Sequence, residues 1–218
     1  VSATKEKEQQ AEKPRRRSRA ERSEETRQAL FQAAAEMVGE HGYAEASISR
    51  ITARAKVAQG TFYNYFESRQ DLFDQLLPAL GEKMLAYIRG RMGDTTGPER
   101  EERRIRAYFD FLQEYPEFYR ILYEAETLAP TAHKQHIEAT AGGYTRALER
   151  SWERGEMPDF ERRELEVIAY MLLAARGYLS MKYGFADDRP GHLPEWVVTA
   201  YMKFVRHGLY DVETPDKP

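Results

Sequence analysis

Cysteine is absent from the 218 residues, which removes disulfide frameworks, thiolate metal sites and cysteine nucleophiles together. No apolar stretch is long enough for a signal peptide or a membrane span, and the opening residues are polar, so a soluble, cytoplasmic chain with no membrane partner is expected. Glycine-rich phosphate loops and nucleophile elbows are missing. Histidine is scarce, five in all. Only His133 and His136, three apart with Glu138 nearby, have a spacing that grips a metal on a helix, and their polar setting makes a solvated face the expectation. His41, His192 and His207 fall at helix ends, where capping accounts for them. These absences argue against an enzyme, and no cofactor or metal is expected. No alternating apolar run with hairpin turns occurs, nor any internal repeat, which leaves an all-α chain of about nine helices.

What is present is a 41% hydrophobic content, enough to fill a core, and an uneven charge. The net charge is −3, yet residues 1–70 hold thirteen basic against ten acidic side chains. The excess concentrates in Lys13, Arg15, Arg16, Arg17, Arg19 and Arg22, opposed within that stretch only by Glu21. Such a cluster either neutralises phosphates or is simply a solvated tail. Residues 1–23 are too poor in apolar side chains to offset their ordering entropy and read as a flexible basic arm. From Glu24, the positions Ala29, Leu30, Ala33, Ala34, Met37 and Val38 recur at helical spacing up to a stop at His41-Gly42. Ser47 is placed to cap a short helix through Ala55, and Gln59–Phe66 forms the next. A long connecting helix follows over Asp71–Arg91, which Pro78 and Gly81 should kink or divide. Gly93 to Pro98 is a loop. Helices are then expected up to Tyr115, over Phe118–Tyr123, from Pro130 to Gly155, from Glu161 to about Tyr183 and from Pro194 to about Tyr210.

Two short helices across a tight turn suit a helix-turn-helix, whose second helix lies in the DNA major groove while the first braces across the backbone. Ala53 and Ala55 are small enough for a close crossing, Val57 is an apolar plug for the turn, and Gly60 lets the backbone near a phosphate. Phe62 and Phe66, four apart, should pack inward. That leaves Thr61, Tyr63 and Tyr65 for phosphates, and the amides of Gln59 and Asn64 for base edges. The run from Gly42-Tyr43 through Ser47-Ile48-Ser49-Arg50, Ala58-Gln59-Gly60-Thr61-Phe62-Tyr63-Asn64-Tyr65-Phe66 and Ser68-Arg69 to Asp71-Leu72-Phe73 resembles the DNA-binding signature of the TetR family. The resemblance covers about fifty residues. It implies an N-terminal three-helix helix-turn-helix domain (residues 24–70) and a C-terminal bundle of about six helices (residues 71–213) for effector binding and dimerisation. Carried over by position, it implies phosphate contacts from Ser47, Ser49 and Arg69, and DNA contacts from Gln59, Gly60, Thr61, Tyr63, Asn64 and Tyr65. Ala58 and Gln59 stand where the family commonly has Ser and Lys, so part of the phosphate affinity is expected from the arm, with Arg15, Arg16 and Arg17. The family also implies a repressor on double-stranded, near-palindromic operator DNA, released when an effector tilts the connecting helix and spoils a half-site spacing of about 34–36 Å. A DNA-binding protein without an effector is the alternative.

For a small apolar or amphipathic effector, Tyr108, Phe109, Leu112, Phe118, Tyr119, Leu122, Tyr123, Tyr144, Leu148, Trp152, Tyr170 and Leu173 are the candidate lining, with an ordinary core as the competing use of each. Arg176 ends the apolar run Val167–Ala175, where it either anchors an acidic effector or pairs with Glu124 or Glu126. A homodimer is expected through the last two helices, from a set comprising Leu172, Ala175, Leu179, Trp196, Val197, Ala200, Tyr201, Phe204 and Val205, part of which must face the chain's own core.

Overall fold

Three of the first four helices open on a serine whose hydroxyl caps them. The computed structural model describes residues 18–184 and 191–207. Among these, nine α-helices and no strand occur. α1 (Arg19–His41) opens on a reciprocal cap, in which Ser18 Oγ accepts from the Glu21 amide at 3.1 Å and Glu21 accepts from the Ser18 amide at 2.6 Å. The expected arm therefore ends earlier than residue 23, because this cap, worth about 1 kcal/mol, draws Arg19 to Ser23 into the helix. Gly42, at φ 84°, ends α1. Ser47 caps α2 (Ile48–Ala55), and Ser68 caps α4 (Arg69–Arg91) by accepting from the Asp71 amide at 3.0 Å.

Between them α3 spans only Gln59–Phe62, shorter than the expected Gln59–Phe66. Tyr63 to Tyr65 continue as turns, with the Tyr65 and Phe66 amides both donating to the Phe62 carbonyl. Then come α5 (Gly97–Glu114), α6 (Glu117–Leu128) and α7 (Pro130–Glu153). A 3₁₀ turn, Arg162–Glu164, leads into α8 (Leu165–Leu179), which loosens into a π turn, Ser180–Gly184, before α9 (Glu195–His207). The expected end of the last helix near Tyr210 lies outside the described residues.

α4 runs without a break through Pro78, where a kink or division was expected, and one face of it is held in the core on both sides of the proline by Leu72, Phe73, Leu76, Leu77 and Met84. Gly81 has another role than a bend. A Cβ there would lie 2.2 Å from Nδ1 of His136, so glycine is what lets α7 press against the connecting helix. His136 is buried rather than on a solvated face; its ring meets Phe118 edge-on at 5.7 Å.

α6 locks the N-terminal helices to the rest. A Cβ on Gly39 would be 2.5 Å from the Glu117 Cβ, so α1 and α6 touch backbone to side chain. Glu124 accepts from the Tyr43 amide at 2.8 Å and from Arg120 Nε at 2.6 Å, while Arg120 reaches the Glu40 carbonyl at 3.1 Å. No described helix is long and apolar enough to cross a membrane.

Candidate nucleic-acid interface and internal cavity

The turn between α2 and α3 is made by Lys56 in the left-handed conformation (φ 58°, ψ 38°), after which the Val57 amide returns to the Thr52 carbonyl at 3.0 Å. Val57 and Ala55 pack against the core, as the sequence suggested, whereas Ala53 is exposed and takes no part in the crossing. α2 is fixed to α1 by a two-pronged Arg54–Glu40 pair with both bonds at 2.6 Å. Phe62 and Phe66 are fully buried, and Phe66 meets Phe31 of α1 edge-on at 5.2 Å. Gln59, Gly60, Tyr63 and Asn64 are consequently turned to solvent on a rigid base, and Thr61 is half-buried. Tyr65 is half-buried too, its hydroxyl accepting from Ser23 at 3.4 Å, which sets the start of α1 beside the recognition segment. Ser47 and Ser49 share a hydroxyl contact at 3.1 Å at the head of α2. Arg69, expected at a phosphate, is engaged within the chain: its guanidinium donates to the Tyr43 and Ala44 carbonyls and stacks over Phe73, bracing the α1–α2 loop. Arg15, Arg16 and Arg17 lie outside the described residues.

A Cβ on Gly60 would meet nothing within 4 Å. Gly60→Ala is therefore expected to raise stability slightly, by up to about 1 kcal/mol from helix propensity, and to weaken DNA binding if the backbone approaches a phosphate there. Melting temperature and DNA affinity measured on the same preparation check this, and unchanged affinity would remove Gly60 from the contact surface.

The second feature is a cavity of about 250 Å³ between α4, α5, α7 and α8. Leu85 and Ile88 of α4, Met92 just after it, and Ala139, Tyr144 and Ala147 of α7 give it an apolar wall. Arg89, Arg100, Arg104, Arg146, Arg150 and Arg176 supply most of the rest, with Thr140 and Gly143. An adjoining cavity, also about 250 Å³, shares Arg100, Ala147 and Arg150 and adds Arg154 and the Gly93–Thr96 loop. Arg104 pairs with Glu101 at 2.6 Å, and the same carboxylate accepts from the Tyr201 hydroxyl at 2.6 Å, tying the cavity wall to α9. Burial, and then the neighbouring charges of Arg104, Arg150 and Arg154, disfavour the charged form of Arg100, with the Glu156 carboxylate opposing them in part. Among the described residues no group of three or more His, Asp or Glu is arranged to hold a metal.

Residues 30–76 match the family model described as bacterial regulatory proteins, tetR family. That stretch is a TetR-family DNA-binding segment. A stretch of 67 residues is 43% identical to the uncharacterized HTH-type transcriptional regulator YvdT of Bacillus subtilis, covering 29% of this chain but only 32% of that protein. Over 177 residues it is 24% identical to the HTH-type transcriptional activator FasR of Mycolicibacterium smegmatis, 81% of this chain and 79% of FasR. The fold superimposes on the transcriptional regulator FadR of Bacillus subtilis, solved in complex with stearoyl-CoA, with a TM-score of 0.67 over 84% of this chain and 99% of that one at 18% identity.

The expected effector lining is mostly core. Tyr108, Phe109, Leu112 and Phe118 are fully buried and pack on one another and on Phe111; Tyr119, Leu122, Leu148 and Leu173 are half-buried against the same cluster. Tyr123, Trp152 and Tyr170 are exposed, the indole of Trp152 being held by the Phe160 carbonyl at 2.7 Å. Of the expected set only Tyr144 and Arg176 line the cavity. Arg176 pairs with neither Glu124, which is bound to Arg120 and Tyr43, nor Glu126; its guanidinium lies over the Tyr108 ring at 4.1 Å. The five other cavity arginines were missed, although Arg100/Arg104 and Arg146/Arg150 stand four apart, one helical turn each.

The last two helices separate into two faces. Leu172, Val197 and Tyr201 turn inward, Ala175, Leu179 and Val205 are half-buried, and Trp196, Ala200 and Phe204 face out. On α8 the outward stripe is Val167, Tyr170, Met171 and Tyr178, continued by Met181, and Tyr183 joins it to α9 by an edge contact with Trp196 at 5.3 Å.

Proposed function

We propose that the chain is a transcriptional repressor which binds a near-palindromic operator as a homodimer and is released by a small amphipathic effector. Residues 24–70 are its DNA-binding unit and residues 71–213 its effector and dimer unit. The observation that carries the DNA reading is the solvent-facing set Gln59, Gly60, Tyr63 and Asn64 on a helix pair anchored by buried Phe62 and Phe66 and by the Arg54–Glu40 pair. Amides on such a helix read adenine, and hydroxyls and the backbone fix the register on phosphates. The apolar stripe on α8 and α9 supports the dimer, since a contiguous exposed patch of this kind marks an association surface. Stearoyl-CoA, the ligand of the Bacillus subtilis FadR structure, is the first effector to try. FasR is named as an activator, so the second reading is an effector that promotes binding.

The deciding experiment is fluorescence anisotropy against the DNA upstream of the protein's own gene, with a shuffled duplex as control, across a salt series. Tight binding to the upstream DNA alone, with two protomers per site, is expected; equal binding to both duplexes would overturn a sequence-specific regulator. Deleting residues 1–17, which spares the Ser18 cap, should flatten the slope of log affinity against log salt by about 0.9 for each phosphate that the arm no longer neutralises. Adding effector then separates repressor from activator by the direction of the change. A thermal-shift panel of apolar, cationic and acyl compounds that never moves the melting temperature would favour the protein without an effector.

A further inference from the structure

Within the cavity between α4, α5, α7 and α8, positive charge is left without its counterpart. Arg104 has Glu101, but among the described residues no carboxylate pairs with Arg89, Arg100, Arg146, Arg150 or Arg176. Arg176 is the telling case, being nine-tenths buried with its guanidinium over the face of Tyr108 and no carboxylate paired to it. Removing a guanidinium from water without an anion is costly, and proteins retain such groups where something else supplies the charge. The Thr140 hydroxyl, 2% exposed and lining the same cavity, has no hydrogen-bond partner. The inner end thus offers a buried cation and an idle hydroxyl, while Arg146 and Arg150 are exposed at the mouth and Arg100 is half-buried between the two cavities.

We propose that this is a polyanion site. Its ligand sets one phosphate or carboxylate against Arg176 and Thr140, lays an apolar segment along Leu85, Ile88 and Met92, and places further anionic groups on Arg100, Arg146 and Arg150. The inference rests on the effector reading above and names the effector's chemistry. Each cavity, at about 250 Å³, lies below the roughly 300–1,000 Å³ of drug-sized sites, so a ligand of that size spans both through their shared arginines. Its apolar segment lies on α4, the helix that carries the DNA-binding unit, which gives the ligand a direct hold on that unit's position.

Calorimetry on the full chain tests the proposal with coenzyme A, its phosphate-free half pantetheine, tripolyphosphate and citrate as probes. At least one anion is expected to bind with an affinity that falls as salt rises. If it is coenzyme A, pantetheine should bind at least tenfold more weakly. Arg150→Gln and Thr140→Val should each weaken the binding anion, the first by about tenfold, while Lys134→Gln on the outer face of α7 and Tyr63→Ala on the DNA surface should not. Arg150→Gln alters a solvent-facing side chain and keeps the test open if Arg176→Gln fails to fold. Pantetheine binding as tightly as coenzyme A, or an anion affinity indifferent to Arg150 and Thr140, would overturn the site. So would silence from every anion; if neutral amphiphiles then still released DNA, the effector reading would survive and only the polyanion chemistry would fall.

Discussion

A chain carrying Trp196→Arg and Phe204→Arg is expected to run as a monomer and to lose specific operator binding by at least about a thousandfold, the low end of what separates specific from non-specific DNA affinity. Both side chains point away from the chain's own core, at 61% and 43% exposure, so their replacement leaves the buried neighbours Val197, Val198, Tyr201 and Met202 in place. Each aromatic ring, once covered by a partner, contributes about 1.5–3 kcal/mol through burial. In a two-fold interface every substitution occurs twice, and the new guanidinium groups would be desolvated with no acidic partner on that stripe. Sedimentation at a fixed protomer concentration and helical circular dichroism should show a folded monomer. Val197→Arg, aimed into the core, should instead lose the fold. A folded variant that stays dimeric and keeps operator affinity would mean that the protomers meet elsewhere.

The parts of the fold that were legible are those set by neighbours in sequence. Ser47 caps α2, Gly42 ends α1, and the four-residue spacing of Phe62 and Phe66 puts both inside, because capping and helical periodicity are local. The recognition helix ended early for a reason of packing. With Phe62 and Phe66 both buried and Phe66 set on Phe31 of α1, the segment between them closes as turns, and the expected second helical turn is replaced by paired bonds to the Phe62 carbonyl. Arg69 shows the same limit. Its position matched a phosphate contact, yet the fold brings the Tyr43 and Ala44 carbonyls within its reach, and a residue 26 positions away is invisible to a local pattern.

The cavity was illegible for a more instructive reason. Aromatic stripes were expected to line it, but large apolar side chains gain most from full burial, so Tyr108, Phe109 and Phe118 fill the core and leave the cavity to other residues. Its own signature, arginines one turn apart on two helices, looks in sequence like an ordinary solvated face. Only the approach of α5 to α7 turns Arg100, Arg104, Arg146 and Arg150 toward a common space. The last two helices were ambiguous because both of their faces are apolar, and burial separates the core-facing Tyr201 from the outward Trp196.

Acid should destabilise this protein through His136, by about 3 kcal/mol once the pH has fallen below both relevant values. Burial first, and then the charges of Arg176 and His133, push its imidazole down to about 4 from an ordinary 6.5. The unfolded chain therefore takes up a proton between pH 6.5 and pH 4 that the folded chain refuses. The stability from a neutral His136 is fully present above pH 6.5 and is lost as the pH drops through that window. The packing leaves no room for compensation: Gly81 is close enough to Nδ1 that the ring cannot shift toward α4, and Phe118 closes another side. Chemical denaturation at pH 7 and pH 4.5 measures the difference, with His136→Gln as the reference because it cannot protonate. The native chain should lose more stability than the variant, and equal losses would overturn the assignment. An anion bound against Arg176 would weaken the repulsion that helps keep His136 neutral, so a ligand of the proposed class should shrink the excess loss, giving the polyanion site a second readout that does not depend on DNA.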